Sequence, residues 1–109
     1  MNREFVRTRT FERHWANIGL NDEDFSKLER ILSENTQAGD VIPGLSGGRK
    51  LRFALEGRGK SGGARVIYVD VVVREQIYLL AAYPKNAQAD LTTEQKRTLS
   101  KFIIALKED

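Results

Sequence analysis

Apolar residues recur at two periods along the chain, and the changes of period mark its elements. Residues 4–8 alternate as a short strand would. Phe11, Trp15 and Ile18 then follow at i, i+4 and i+7, the spacing of one helical face, with Thr10 placed to cap that helix and Gly19 to end it. Asn21 caps a second helix whose first turn, Asp22-Glu23-Asp24, puts negative charge at the positive end of the helix dipole. Its stripe is Phe25, Leu28, Ile31 and Leu32, and it should end near Asn35. These stripes are how helices dock on a core. After a glycine-rich loop at 39–48, broken by Pro43, the period drops to two. In residues 49–55, Leu51, Phe53 and Leu55 point one way and Lys50 and Arg52 the other. A second glycine-rich loop, 57–63, leads to a β-branched run at 64–73 and a further strand at 76–83. The short connection at Arg74-Glu75 makes these two a hairpin. The last element is a helix opened by the capping box Thr92…Gln95 and faced by Leu99, Phe102, Ile103 and Leu106. The predicted order is β-α-α-β-β-β-α. It describes an α+β domain with a twisted, mainly antiparallel sheet and its helices on one sheet face.

The 109 residues suit a single domain, 1–109, without an internal repeat or linker. Absence of cysteine removes any disulfide framework, and His14 alone cannot build a protein-only zinc site, so neither metal nor cofactor is expected. The first ten residues lack the apolar core of a secretory signal, and no apolar run approaches bilayer-spanning length. A cytoplasmic protein without a membrane partner is expected.

Charge sharpens the picture. The net charge of +3 is unevenly distributed: residues 49–65 hold six cations (Arg49, Lys50, Arg52, Arg58, Lys60 and Arg65) against Glu56 alone. Such a cluster suits a polyanion, or equally a solvated sheet edge that resists aggregation. The loop Gly57-Arg58-Gly59-Lys60-Ser61-Gly62 matches G-x-G-x-x-G, but it opens into a strand, whereas a dinucleotide fingerprint opens into a helix. A Walker A loop needs an earlier glycine where this chain has Ala54 and Leu55. What survives is a loop of close-approaching backbone amides with Arg58 and Lys60 adding charge. Arg65, at the start of an apolar strand, either pairs with Glu56 or Asp70 or clamps a phosphate beside Lys50 and Arg52. Tyr83 and Lys85 flank Pro84 where the last strand leaves the sheet, a place to stack a base and hold its phosphate. No carboxylate pair or Ser/His/Asp set stands out, and His14 reads as a surface or hydrogen-bonded helix residue. Chemistry on this chain must run on Arg, Lys and Tyr, which suits RNA cleavage by its own 2′-hydroxyl.

The blocks 39–44, 48–52 and 57–68, followed by Ile77-Tyr78-Leu79-Leu80, Tyr83-Pro84-Lys85-Asn86 and Asp90-Leu91-Thr92, closely resemble the HigB branch of the RelE/ParE toxins, in order and over nearly the whole chain. The resemblance implies a type II toxin that is a ribosome-dependent endoribonuclease, cutting mRNA and so inhibiting translation. Its implied partners are the ribosome, mRNA and a HigA-like DNA-binding antitoxin. It also assigns roles. Arg65 contacts the scissile phosphate, Lys85 acts as general acid or charge stabiliser, and Tyr83 is the adjacent aromatic. Lys50 and Arg52 bind phosphate or move a proton, while Arg49, Arg58 and Lys60 seat the RNA backbone. Two departures bear on potency: Leu91 stands where some relatives carry a catalytic Tyr or His, and Ala87 where some carry an acid. The same fold also supports a gyrase-poisoning toxin, as in the ParE branch, or a non-catalytic nucleic-acid-binding regulator.

Overall fold

A strand apolar at nearly every position is stable only with both of its faces covered. In the computed structural model, which describes residues 2–54, 63–85 and 91–108, such a strand stands in the middle of a five-stranded sheet. The elements run β1 (Glu4–Arg7), α1 (Arg9–Ile18), α2 (Asp22–Glu34), β2 (Asp40–Val41), β3 (Arg49–Ala54), β4 (Gly63–Val71), a 3₁₀ turn (Val72–Arg74), β5 (Gln76–Pro84) and α3 (Thr93–Lys107). The sheet order is β1-β5-β4-β3-β2, with β1 parallel to β5 and every other neighbour antiparallel. The fold is α+β, as the periodicities predict.

The helices do not share one sheet face. Even-numbered residues of β4 (Ala64, Val66, Tyr68) join Phe11, Trp15, Phe25 and Leu28 of α1 and α2 in one core. Odd-numbered ones (Ile67, Val69, Val71) join Ile103 of α3 and Ile42 and Leu45 of the loop before β3 in a second. The expectation of a single covered face is thus corrected: α1 and α2 lie on one side and α3 on the other. The physical reason lies in β4 itself, whose two alternating sets of side chains both need burial.

Other departures are local. Thr8, in place of Thr10, caps α1: its Oγ accepts from the Phe11 amide at 3.2 Å and donates to the Leu79 carbonyl at 2.9 Å. Thr8 is where the chain leaves β5, so one hydroxyl joins strand end to helix start. Gly19 ends α1 in the left-handed region, and capping boxes open α2 (Asn21/Asp24) and α3 (Thr92/Gln95) as expected. Ile31 and Phe102 sit at the margins of their stripes and stay partly exposed. The apolar run expected to continue as strand to Val73 stops at Val71, and Val72 and Val73 enter the exposed 3₁₀ turn. Glu75 closes that turn with φ 54°.

The crossing from α2 to β3 is anchored by a buried phenol. Tyr68 Oη donates to the Thr36 carbonyl at 2.8 Å and accepts from the Gly39 amide at 2.9 Å. Burial pushes its ionisation up, which keeps it a donor. Gly39 passes so close to β3 that a Cβ there would stand 2.8 Å from the Lys50 carbonyl oxygen. Tyr68→Phe deletes both bonds and leaves the half-buried Thr36 carbonyl and the buried Gly39 amide without this partner. The expected loss is about 2 kcal/mol of unfolding free energy in urea titration, with an unchanged denaturant slope.

Candidate active site

Strand alternation and register together decide which cations meet. Leu51 and Phe53 of β3 are buried in the α1/α2 core, so Lys50 and Arg52 project from the α3 face. Arg65 of β4 lies on that face too, and β3 and β4 pair Arg52 directly with Arg65. On β5, Arg65 pairs with Tyr83. The result is a cross-strand row, Arg52-Arg65-Tyr83, with Lys50 one face position along beside Ile67.

Tyr83 reaches the row through an irregularity absent from any periodicity. Between Ile67↔Ala81 and Tyr68↔Leu79 the β4/β5 register skips Leu80. Leu80 and Ala81 both point into the α3-side core, Ala82 returns to the α1/α2 core, and Tyr83 packs on the α3 side. Without the extra residue, simple alternation from Ile77 and Leu79 would send Tyr83 to the opposite face. Bulges commonly re-aim side chains in this way.

The α3 helix covers only part of its face. Leu99, Ile103 and Leu106 lie over the stretch holding Ile67, Val69 and Val71. The helix is pinned there by a Ser46–Ser100 hydroxyl contact, by Lys107 Nζ donating to the Ser46 carbonyl, and by Arg74 Nε donating to the Leu106 carbonyl. At the other end of the face, Arg52 is exposed and Arg65 half-buried, and no helix among the described residues covers them.

Directly opposed side chains on neighbouring strands stand about 5 Å apart, and like charges there repel. No carboxylate among the described residues relieves Arg52 or Arg65, since the ion pairs found there are Arg3–Asp70 and Arg7–Asp22. Asp70, one of two expected partners for Arg65, instead receives Arg3 in a two-point contact at 2.7 and 3.3 Å. Two opposed guanidiniums with no counter-ion among the described residues offer a socket for a bridging anion, and phosphate fits their donor geometry. Lys85 is exposed just past the end of β5, where its amide still bonds the Gly63 carbonyl at 3.3 Å.

Arg49 does not join this set. Being odd-numbered on β3, it belongs with Leu51 and Phe53 on the opposite face, where it pairs with Tyr68 and its Nη1 donates to the Gly39 carbonyl at 2.7 Å. It serves the crossing, a correction to its expected place with the RNA-facing cations. Arg58 and Lys60, the glycine-rich loop they occupy, and Leu55, Glu56, Asn86, Ala87 and Asp90 lie outside the described residues.

One contributor went unassigned. His14 of α1 reaches the far edge of β5, where its Nδ1 accepts the Ala82 amide at 3.2 Å. A cavity of about 270 Å³ adjoins this contact, lined by His14, Tyr83, Pro84, Leu91 and Gln95 among others. The signal was present in the sequence: position 14 falls between Phe11 and Ile18 at i+3 and i+7, on the margin of the buried stripe.

The opposed guanidiniums make a physical prediction independent of any reaction. Arg65→Met removes the repulsion while keeping the packed stem, so the free protein should gain about 0.5 kcal/mol of stability at low salt. The gain should shrink in 0.5 M NaCl, as thermal unfolding at the two ionic strengths would report.

Described as the RelE toxin of the RelE/RelB toxin–antitoxin system, one family profile matches residues 3–108, a span that takes in every strand and helix above. No helix among the described residues is long and apolar enough to cross a membrane. With the match running from the first strand through the last helix, the chain belongs to the RelE family of toxins, which pair with an antitoxin.

Proposed function

We propose that this toxin is a HigB-type, ribosome-dependent endoribonuclease, working in the cytoplasm and held in check by a HigA-like, DNA-binding antitoxin. The observation that carries the reading is the Arg52-Arg65-Tyr83 row: two guanidiniums with no carboxylate partner among the described residues, in cross-strand register with a tyrosine. Membership of a toxin family supports it, as do Lys50 one face position along β3 and the exposed Lys85 just past the end of β5.

In this reading the mRNA backbone lies across the row. Arg65 and Arg52 hold the non-bridging oxygens of the scissile phosphate, and Tyr83 stacks on a neighbouring base. The 2′-oxygen passes its proton to the Lys50 side chain and forms a bond to phosphorus. The bond from phosphorus to O5′ breaks, and Lys85 returns a proton to O5′. The products are a 2′,3′-cyclic phosphate and a 5′-hydroxyl. The described row brings cations and a phenol to this step, so stabilisation of the developing negative charge is its main contribution. The ribosome supplies what a small sheet face lacks, a fixed path for the message and its codon register.

Mapping mRNA 5′ ends after induction tests the reading. The parent should give cuts phased to codons. Arg65→Ala should lower them by about 100-fold or more, the usual consequence of deleting a group that binds transition-state charge, and Lys85→Ala should act in the same direction. Intact messages with DNA breaks and arrested growth would move the toxin to the gyrase-poisoning class. Harmless expression would leave a nucleic-acid-binding regulator.

A further inference from the structure

The terminal segment of β5, which carries Tyr83, has β4 as its strand neighbour on one side only. The partner on the other side, β1, stops pairing at Arg7↔Leu79, and the chain turns away through Thr8, whose amide bonds the Leu79 carbonyl at 3.2 Å. Among the described residues, 80–84 therefore form a sheet edge, and this edge contains the bulge at Leu80. A bulge beside an open edge is poorly held. Sliding by one residue would return Leu80 to register and turn Tyr83 to the other face. What fills the missing strand's place at Ala82 is the His14 side chain, with Nδ1 accepting the outward amide at 3.2 Å one residue before Tyr83.

We propose that His14 is a positioning residue for the Arg52-Arg65-Tyr83 row: its neutral imidazole locks the bulge phase of β5, and a proton on it releases Tyr83 from the row. The activity arm of this inference rests on the nuclease reading above, whereas the conformational arm does not.

The chemistry follows from the acceptor role. To accept the Ala82 amide, Nδ1 must present a lone pair, which places the single ring proton on Nε2. Protonation converts Nδ1 to a donor facing a donor, and the bond is lost. Among the described residues, the charged and titratable groups around the ring are Arg13 on α1, Tyr83 on β5 and Glu94 at the start of α3, which shares a cavity with His14. Burial, and secondarily the Arg13 charge, hold the imidazole below its ordinary value of 6.5. The linkage sign is then fixed. Between that lowered value and 6.5 the unfolded chain binds more protons than the folded one. Stability from His14 is fully present above about pH 6.5 and declines as pH falls through the folded value. The Ala82 bond follows the same course.

Two substitutions separate positioning from bulk packing. His14→Gln offers a carbonyl acceptor that does not titrate, while His14→Leu fills the space and accepts nothing. On programmed ribosomes at pH 7.5, the Leu variant should lose about five- to tenfold in kcat with little change in KM, the effect of one lost hydrogen bond on geometry. The Gln variant should recover most of that rate and lack the acid limb that the parent displays. In the same three proteins, hydrogen exchange at the Ala82 amide should be slow in the parent and the Gln variant and fast in the Leu variant. A Leu variant with the parent's kcat, pH profile and Ala82 protection would overturn the proposal. If the parent cuts no message, the nuclease reading falls and the conformational arm is decided by NMR. Tyr83 ring signals that titrate together with the His14 imidazole support the lock, and Tyr83 signals indifferent to His14 refute it.

Discussion

The double-sided burial of β4 is the constraint from which the rest of this molecule follows. Its even positions draw α1 and α2 to one side and its odd positions draw α3 and the Ile42–Leu45 loop to the other. With both faces committed along most of the strand, the surface that the described residues leave for chemistry lies at the Arg65 end. The site is therefore a remainder of packing. It is the patch beyond α3, which is held over the other end of the face by Ser100, Lys107 and the Arg74 contact at Leu106. Rigidity is a gain here, because charges fixed on strands reorganise little when a phosphate arrives.

Much of this was legible in the chain itself. The element order, the capping boxes at Asn21 and Thr92, the Gly19 stop and the division of β3 into apolar and cationic sides all follow from local rules, and the structure has them. Local rules failed where an outcome depends on contacts far apart in sequence. Thr10 and Thr8 are equally good caps in isolation, and only the Leu79 carbonyl on a distant strand selects Thr8. The two-residue strand β2 exists because β3 offers it a free edge. The side on which α3 settles was readable in principle, since an unbroken apolar run in β4 already asks for two covers.

The grouping of site residues divides the same way. Lys50, Arg52 and Arg65 were placed together by alternation alone, and the register agrees. Arg49 obeys that same alternation and so leaves the group. Tyr83 meets Arg65 only through a bulge, which arises from strand packing and leaves no mark in composition. The ionic neighbourhood also went another way than Asp70's proximity in sequence suggested, because a strand residue five positions from Arg65 faces the opposite side of the sheet.

The parallel pairing of β1 with β5 has a consequence for the history of the chain. Residues 4–7 find their partners at 76–79, whereas β3, β4 and β5 join through neighbours in sequence. Closing so long a loop costs entropy that local hairpins do not, so the topology favours early pairing of the three inner strands over that of residues 4–7. During synthesis that arm leaves the ribosome early and must wait for β5. The pairing of β1 thus cannot form before residues 76–79 have been made.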